Sequence, residues 1–213
     1  MRFYGAIALL AVFASSFIVS TAPASRGDEA DFVSLFNGTD WDGWKPNENV
    51  ESWSIEDGAI VCQGERSHLF YVGELAPFKD FHFVAEVKTT PGSNAGIYFH
   101  TEYQENDWPK KGFECQVNIS QGDPKKTSSL YGVVNVANPP AADNEWYTQE
   151  IIVRGKNIVL KVNGTEMVNY TEGKDPKPAD PNFERLIREG TFALQAHDPN
   201  SRVYFRNLRV KKL

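Results

Sequence analysis

Glu114, Gln116 and Asn118 occupy alternate positions in Gly112-Phe113-Glu114-Cys115-Gln116-Val117-Asn118-Ile119, interleaved with Cys115, Val117 and Ile119. Alternate side chains of an extended strand point to opposite faces of its sheet. One face of this segment is therefore apolar and suited to a core, while the other carries a carboxylate and two amides in a row. Amides donate and accept and a carboxylate accepts, so such a row suits a hydroxyl-rich ligand on a recessed sheet floor. Half-burial would raise the pKa of Glu114 toward a range useful for proton transfer. The structural alternative for Glu114 is an acid hydrogen-bonded to a neighbouring strand or paired with Arg206.

Gln195 and His197 share a face at the end of the run 192–197, and Asp198-Pro199 follows directly. An imidazole beside a carboxylate is a candidate acid or base near neutral pH, with Asp198 either orienting it or starting the turn. Asn94, Tyr98 and His100 form a second polar row, alternating with Ala95, Ile97 and Phe99. From that row Tyr98 or His100 could donate to a hydroxyl or carbonyl oxygen. Trp108, in the polar loop 102–112, is free to offer a flat rim surface, whereas most of Trp41, Trp44 and Trp146 read as core. His100, Glu102, Glu114 and His197 share no ligand spacing on one element, so no metal is expected. Phosphate-loop, dinucleotide and His-Glu-x-x-His motifs are missing from the sequence, and no cofactor is expected.

These residues need strands to hold them. Short alternating or apolar runs between turn signals predict strands over 33–36, 53–55, 59–63, 81–89, 95–101, 113–119, 130–136, 146–154, 158–163, 167–170, 192–197 and 203–210. That pattern is an all-β sandwich of two packed sheets. Gly155-Lys156-Asn157 and Asn163-Gly164 are turn residues tolerant of positive φ and make 146–170 a three-stranded meander. A single short helix is predicted over 182–189, where Phe183, Leu186 and Ile187 recur at helical spacing.

Met1-Arg2, an apolar run over 4–19 and the Ala22-Pro23-Ala24 site read as a secretory signal peptide over 1–24, which predicts an exported, periplasmic or extracellular protein with no membrane span after cleavage. The remaining chain, 31–213, has the length of a single domain. A formal net charge of -6 argues against nucleic acid as a partner and leaves a neutral small molecule or oligosaccharide. Cys62 and Cys115, the only two cysteines, could pair or remain buried thiols.

Several segments occur in a telling order: Leu35-Phe36-Asn37-Gly38-Thr39-Asp40-Trp41-Asp42-Gly43-Trp44, Trp53-Ser54-Ile55-Glu56-Asp57-Gly58, Phe78-Lys79-Asp80-Phe81, Ser93-Asn94-Ala95-Gly96-Ile97-Tyr98-Phe99, Gly112-Phe113-Glu114-Cys115-Gln116, Leu130-Tyr131-Gly132-Val133 and Ala193-Leu194-Gln195-Ala196-His197-Asp198. Together they resemble the DUF1080 family, associated with 3-keto-glycoside lyase, hydratase or hydrolase activity. The resemblance implies a concanavalin A-like jelly-roll sandwich of two antiparallel sheets and strengthens Glu114 and His197 as catalytic candidates. Gln116, Asn118, Tyr98, His100, Asn94, Trp108, Gln195 and Asp198 are the expected substrate-binding residues. The chain departs from the family pattern at Ala95, where relatives often carry Ser, and at His100, where many carry Arg.

Ordinary glycoside hydrolysis uses two carboxylates, yet the positions after Glu114 on its face are Gln116 and Asn118. Elimination from a sugar already oxidised at C3 requires only a base for the acidified C2 proton and an acid for the C1 substituent. Hydration of the resulting glucal then completes a net hydrolysis. The expected function is cleavage of such 3-keto-glycosides, and the alternative is a non-catalytic, lectin-like carbohydrate-binding module.

Overall fold

The computed structural model describes Met1, residues 31–177 and residues 180–213. The leader expected over 1–24 lies outside the described residues. Among the described residues, thirteen strands form two antiparallel sheets: β1 (Val33–Ser34), β2 (Trp44–Pro46), β3 (Trp53–Glu56), β4 (Ala59–Cys62), β5 (Ser67–Tyr71), β6 (Phe81–Thr89), β7 (Ala95–Thr101), β8 (Phe113–Val117), β9 (Tyr147–Arg154), β10 (Asn157–Val162), β11 (Thr165–Thr171), β12 (Thr191–Ala196) and β13 (Val203–Lys212). The larger sheet runs β11-β10-β9-β6-β13-β4-β3, with β1 added along β13, and the smaller runs β2-β5-β12-β7-β8. This is the all-β jelly-roll sandwich expected from the alternation and the resemblance.

The core fills the space between the sheets. Phe192 of β12 packs on Phe78, Phe81 and Phe83 at ring separations of 4.7, 4.9 and 4.6 Å. Such a ring cluster joins the sheets through apolar area alone, and emptying it leaves a cavity that neighbouring strands cannot close. Phe192→Ala is expected to destabilise the protein by about 3–5 kcal/mol, read as a lower urea midpoint. Cys62 and Cys115 are free, buried thiols, and burial pushes both pKa values up to about 12.

The meander forms as expected, β9-β10-β11, turning through Gly155 at φ 56° and through Asn163 and Gly164 at φ 49° and 77°. Three local expectations fail. The strand predicted over 130–136 is a series of turns, and the stretch before it seals the free edge of β8: Gln116 N donates to Ser129 O, Ser128 N to Gln116 O and Tyr131 N to Glu114 O. An open edge carries unpaired donors and acceptors, and this loop takes the place of another strand. No helix forms over 182–189, because its N–H groups bond to distant partners: Glu184 N to Lys110 O, Ile187 N to Glu172 Oε1 and Arg188 N to His100 Nδ1. The third failure is omission: β2 and β5 carry no alternation in sequence, and every residue of β5 is buried.

Candidate active site

The outer face of the smaller sheet carries a polar floor. Register fixes it: Tyr98 of β7 lies opposite Glu114 of β8 and, on its other side, opposite Ala193 of β12, while Gly96 lies opposite Gln116. Side chains paired across strands share a face, so Tyr98, Glu114, Gln116 and Gln195 meet there. Tyr98 Oη donates to Glu114 Oε2 at 2.9 Å and Gln195 Nε2 donates to Glu114 Oε1 at 2.9 Å. In the orientation that pairs it best, Gln116 Nε2 donates to Ala95 O at 3.2 Å and to Glu114 Oε1 at 3.3 Å, with its oxygen toward the Asn94 amide.

Glu114 is thereby buried among donors beneath the cleft. Burial pushes its carboxyl pKa up, and the Arg185 charge with the bonds from Tyr98 and Gln195 reverses this only in part. Burial, followed by the neighbouring Glu114 charge, holds the Tyr98 hydroxyl well above its ordinary pKa, so it remains a neutral donor. Space beside the carboxylate exists because residue 96 is glycine: a Cβ there would overlap Glu114 Oε1.

His197 stands where β12 ends. Its Nδ1 lies 2.7 Å from Asp198 Oδ2, leaving Nε2 free of that pairing, and its ring packs 5.2 Å from Trp108. Asp198 also accepts from Ser201 Oγ at 2.9 Å and from Asn200 N at 2.9 Å. Partial burial pushes the Asp198 carboxyl up, but these bonds, led by that of His197, outweigh it and hold the pKa below the usual value. Asp198 is thus a fixed acceptor that sets the tilt and tautomer of the imidazole. Asp198→Asn is expected to release the His197 ring from its fixed tilt and tautomer, read in its imidazole nitrogen chemical shifts, with little loss of thermal stability, since it removes the orienting charge and preserves shape.

One cavity of about 420 Å³ opens over this floor, lined by Asn94, Tyr98, Trp108, Glu114, Gln116, Gln195 and His197. Seven residues proposed from sequence therefore meet in one cleft. Its remaining walls were not anticipated: Lys125, Tyr131 and Gly132 come from the loop after β8, and Asp180, Phe183 and Arg185 from the segment before β12. Arg185 is buried, donates to Gly112 O at 3.4 Å and lies over the Phe183 ring at 4.9 Å. Tyr131 bonds to Asp123 at 3.1 Å and receives Lys125 over its ring at 4.4 Å.

Three expected residues stand apart from the cleft. His100 adopts φ 56°, which breaks the alternation begun at Asn94; its ring turns to Lys79 O at 2.8 Å and packs edge-on to Phe81. Asn118 lies past the end of β8 and donates to Asp123 O and Lys125 O, so it pins the loop bearing Lys125. Asp198 touches His197 and leaves the lining to it. Arg206, the alternative partner for Glu114, pairs instead with Glu86 at 2.7 Å.

A two-sheet jelly roll with a polar cleft on its smaller sheet places the molecule in the concanavalin A-like class. The chain belongs to the 3-keto-alpha-glucoside-1,2-lyase-like domain family, whose model matches residues 31–211. It is 25% identical to a 3-keto-disaccharide hydrolase of Bacteroides thetaiotaomicron, over 87% of this chain and 80% of that protein. A candidate glycosyl hydrolase from Parabacteroides distasonis has the same fold, with TM-score 0.74, 23% identity and coverage of 90% of this chain and 98% of that one. A carbohydrate-binding module from Bacillus subtilis resembles it in fold alone, with TM-score 0.54, 12% identity and coverage of 80% and 96%.

Proposed function

We propose that this protein cleaves 3-keto-glycosides by removal of the C2 proton, elimination at C1 and hydration. The observation that carries the reading is the Glu114 carboxylate, buried at the cleft floor with its pKa raised and with Arg185 and His197 around the same cavity. A lectin would use such an acid only as an acceptor, whereas proton abstraction also uses the raised pKa. Ionised Glu114 removes the C2 proton, and the electrons pass into the C3 carbonyl as an enolate. Arg185 is the cleft group suited to stabilise that oxygen, while Tyr98 keeps its single hydroxyl proton on Glu114. As the enolate collapses, the C1–O bond breaks and His197, partly exposed at the cleft, protonates the departing oxygen.

The product of elimination is a 2-hydroxy-3-keto-glucal and a free alcohol. Water then adds across C1 and C2, with His197 taking a proton from the attacking water and Glu114 returning one to C2. The sum is one glycoside plus one water giving one alcohol and one free 3-keto sugar. Export directed by residues 1–24 would place this chemistry outside the cytoplasm, on glycosides oxidised by a separate dehydrogenase.

The test compares a methyl 3-keto-glucoside with its unoxidised parent, following methanol release and deuterium incorporation at C2 in heavy water. Release and exchange from the oxidised sugar alone are expected. Cleavage of the parent, or binding of both sugars without turnover of either, would overturn the elimination.

A further inference from the structure

His68 is an unexplained group on the cleft face. It lies on β5 directly across from Gln195 and is fully buried, and neither ring nitrogen has a hydrogen-bond partner among the described residues. Burial first, then the Arg66 and His197 charges, pushes its pKa down to about 3, so the ring is neutral. Leucine or phenylalanine would fill the place without leaving two polar atoms unpaired. An imidazole retained there needs a partner that arrives from outside the closed protein.

Trp108 is what covers it. The indole packs edge-on to His68 at 5.5 Å and tilted against His197 at 5.2 Å, so one ring contacts both imidazoles. Its loop is fastened by polar contacts near the surface: Arg66 pairs with Asp107 at 3.0 Å, Asp107 N donates to Glu48 Oε1 at 2.9 Å, and Asn47 reaches Asp107 O at 3.5 Å. Half-exposed ion pairs of this kind hold weakly and are screened by salt. A weak fastening above an unsatisfied buried group is the arrangement of a cover that lifts when a ligand supplies the missing bonds.

We propose that Trp108 covers a second saccharide position with His68 as its floor, occupied by the leaving sugar when the substrate is a disaccharide. The assignment rests on the keto-glycoside reading, because His197, which protonates the departing oxygen there, borders this position through Trp108. A neutral imidazole donates through one nitrogen and accepts through the other, which matches two neighbouring hydroxyls. The indole offers a flat surface for the C–H patch of the same ring. Arg66, Glu48 and Asp107 stand at the mouth, where further hydroxyls would meet them.

Two measurements test it. In His68→Leu, the ratio of kcat/KM for a 3-keto-disaccharide to that for methyl 3-keto-glucoside should fall about tenfold or more, with the unfolding midpoint unchanged or higher; an unchanged ratio overturns the proposal. Independently of any turnover, diethyl pyrocarbonate labelling of His68, read by peptide mass, should rise several-fold in Arg66→Met and in high salt, and cellobiose should suppress it. A folded Arg66→Met protein in which His68 stays unlabelled overturns the cover. Labelling that responds in a protein inactive on every 3-keto-glycoside would remove the elimination reading and retain the sugar position, whereas turnover without labelling would do the reverse.

Discussion

Glu114→Gln should lower kcat on a 3-keto-glycoside about 10³-fold, within the range that one positioned acid or base supplies and equivalent to about 4 kcal/mol of activation free energy. The substitution preserves volume and an oxygen that can accept from Tyr98 or Gln195, so substrate affinity should change far less than turnover. The pH dependence follows from burial. The raised pKa means that acidification through it protonates the base, so the wild-type rate should fall on the acid side and the variant's residual rate should lack that limb. Stability should move the other way. A carboxyl with its folded pKa above the unfolded value, about 4.3 for Glu, contributes stability below that unfolded value and loses it as pH rises through the folded one. Near neutrality the ionised wild type carries the penalty, and Glu114→Gln should unfold at the same or a higher denaturant midpoint. A variant of wild-type kcat would remove Glu114 from the chemistry.

Gly96→Ala should reach nearly as deep without replacing an ionisable group. The added methyl overlaps Glu114 Oε1 and comes within 3.0 Å of its Cγ and 3.1 Å of its Cδ, so the carboxylate must leave the bonds from Tyr98 and Gln195. A displacement of this size at a reacting group costs about 10²-fold in rate, and overpacking a filled site costs about 1–3 kcal/mol of stability. Steady-state kinetics and urea unfolding measure the two effects separately. Their common origin is tested by the double variant: with Glu114→Gln already present, adding Gly96→Ala should slow turnover little further, because both changes act on one group. Full additivity would show that Gly96 acts elsewhere.

The floor of the cleft was legible in sequence because a period of two is enforced wherever the two faces of a strand meet different surroundings. Glu114 and Gln116 alternate with Cys115 and Val117, and the structure keeps that division. The same rule misplaced His100, since a positive φ at one residue turns its side chain out of the row and nothing in the local pattern announces it. Asn118 went astray at a boundary, one position beyond the end of β8. β5 escaped notice because both of its faces are covered, so Ser67 to Tyr71 show no alternation. Arg185 was hidden for a different reason: its segment has helical spacing, but Lys110, Glu172 and His100 capture its backbone N–H groups from far along the chain. The walls depend on such distant partners, which a local window does not contain.

The cleft is divided between two kinds of backbone. Its acid sits in a hydrogen-bonded ladder and its imidazole at the ladder's end, whereas Lys125, Tyr131, Phe183, Arg185 and Trp108 ride on connecting segments. Connecting segments in general tolerate insertion and substitution better than the elements they join. The shape of the cleft can therefore be redrafted through its loops while the polar floor on the ladder stays in place.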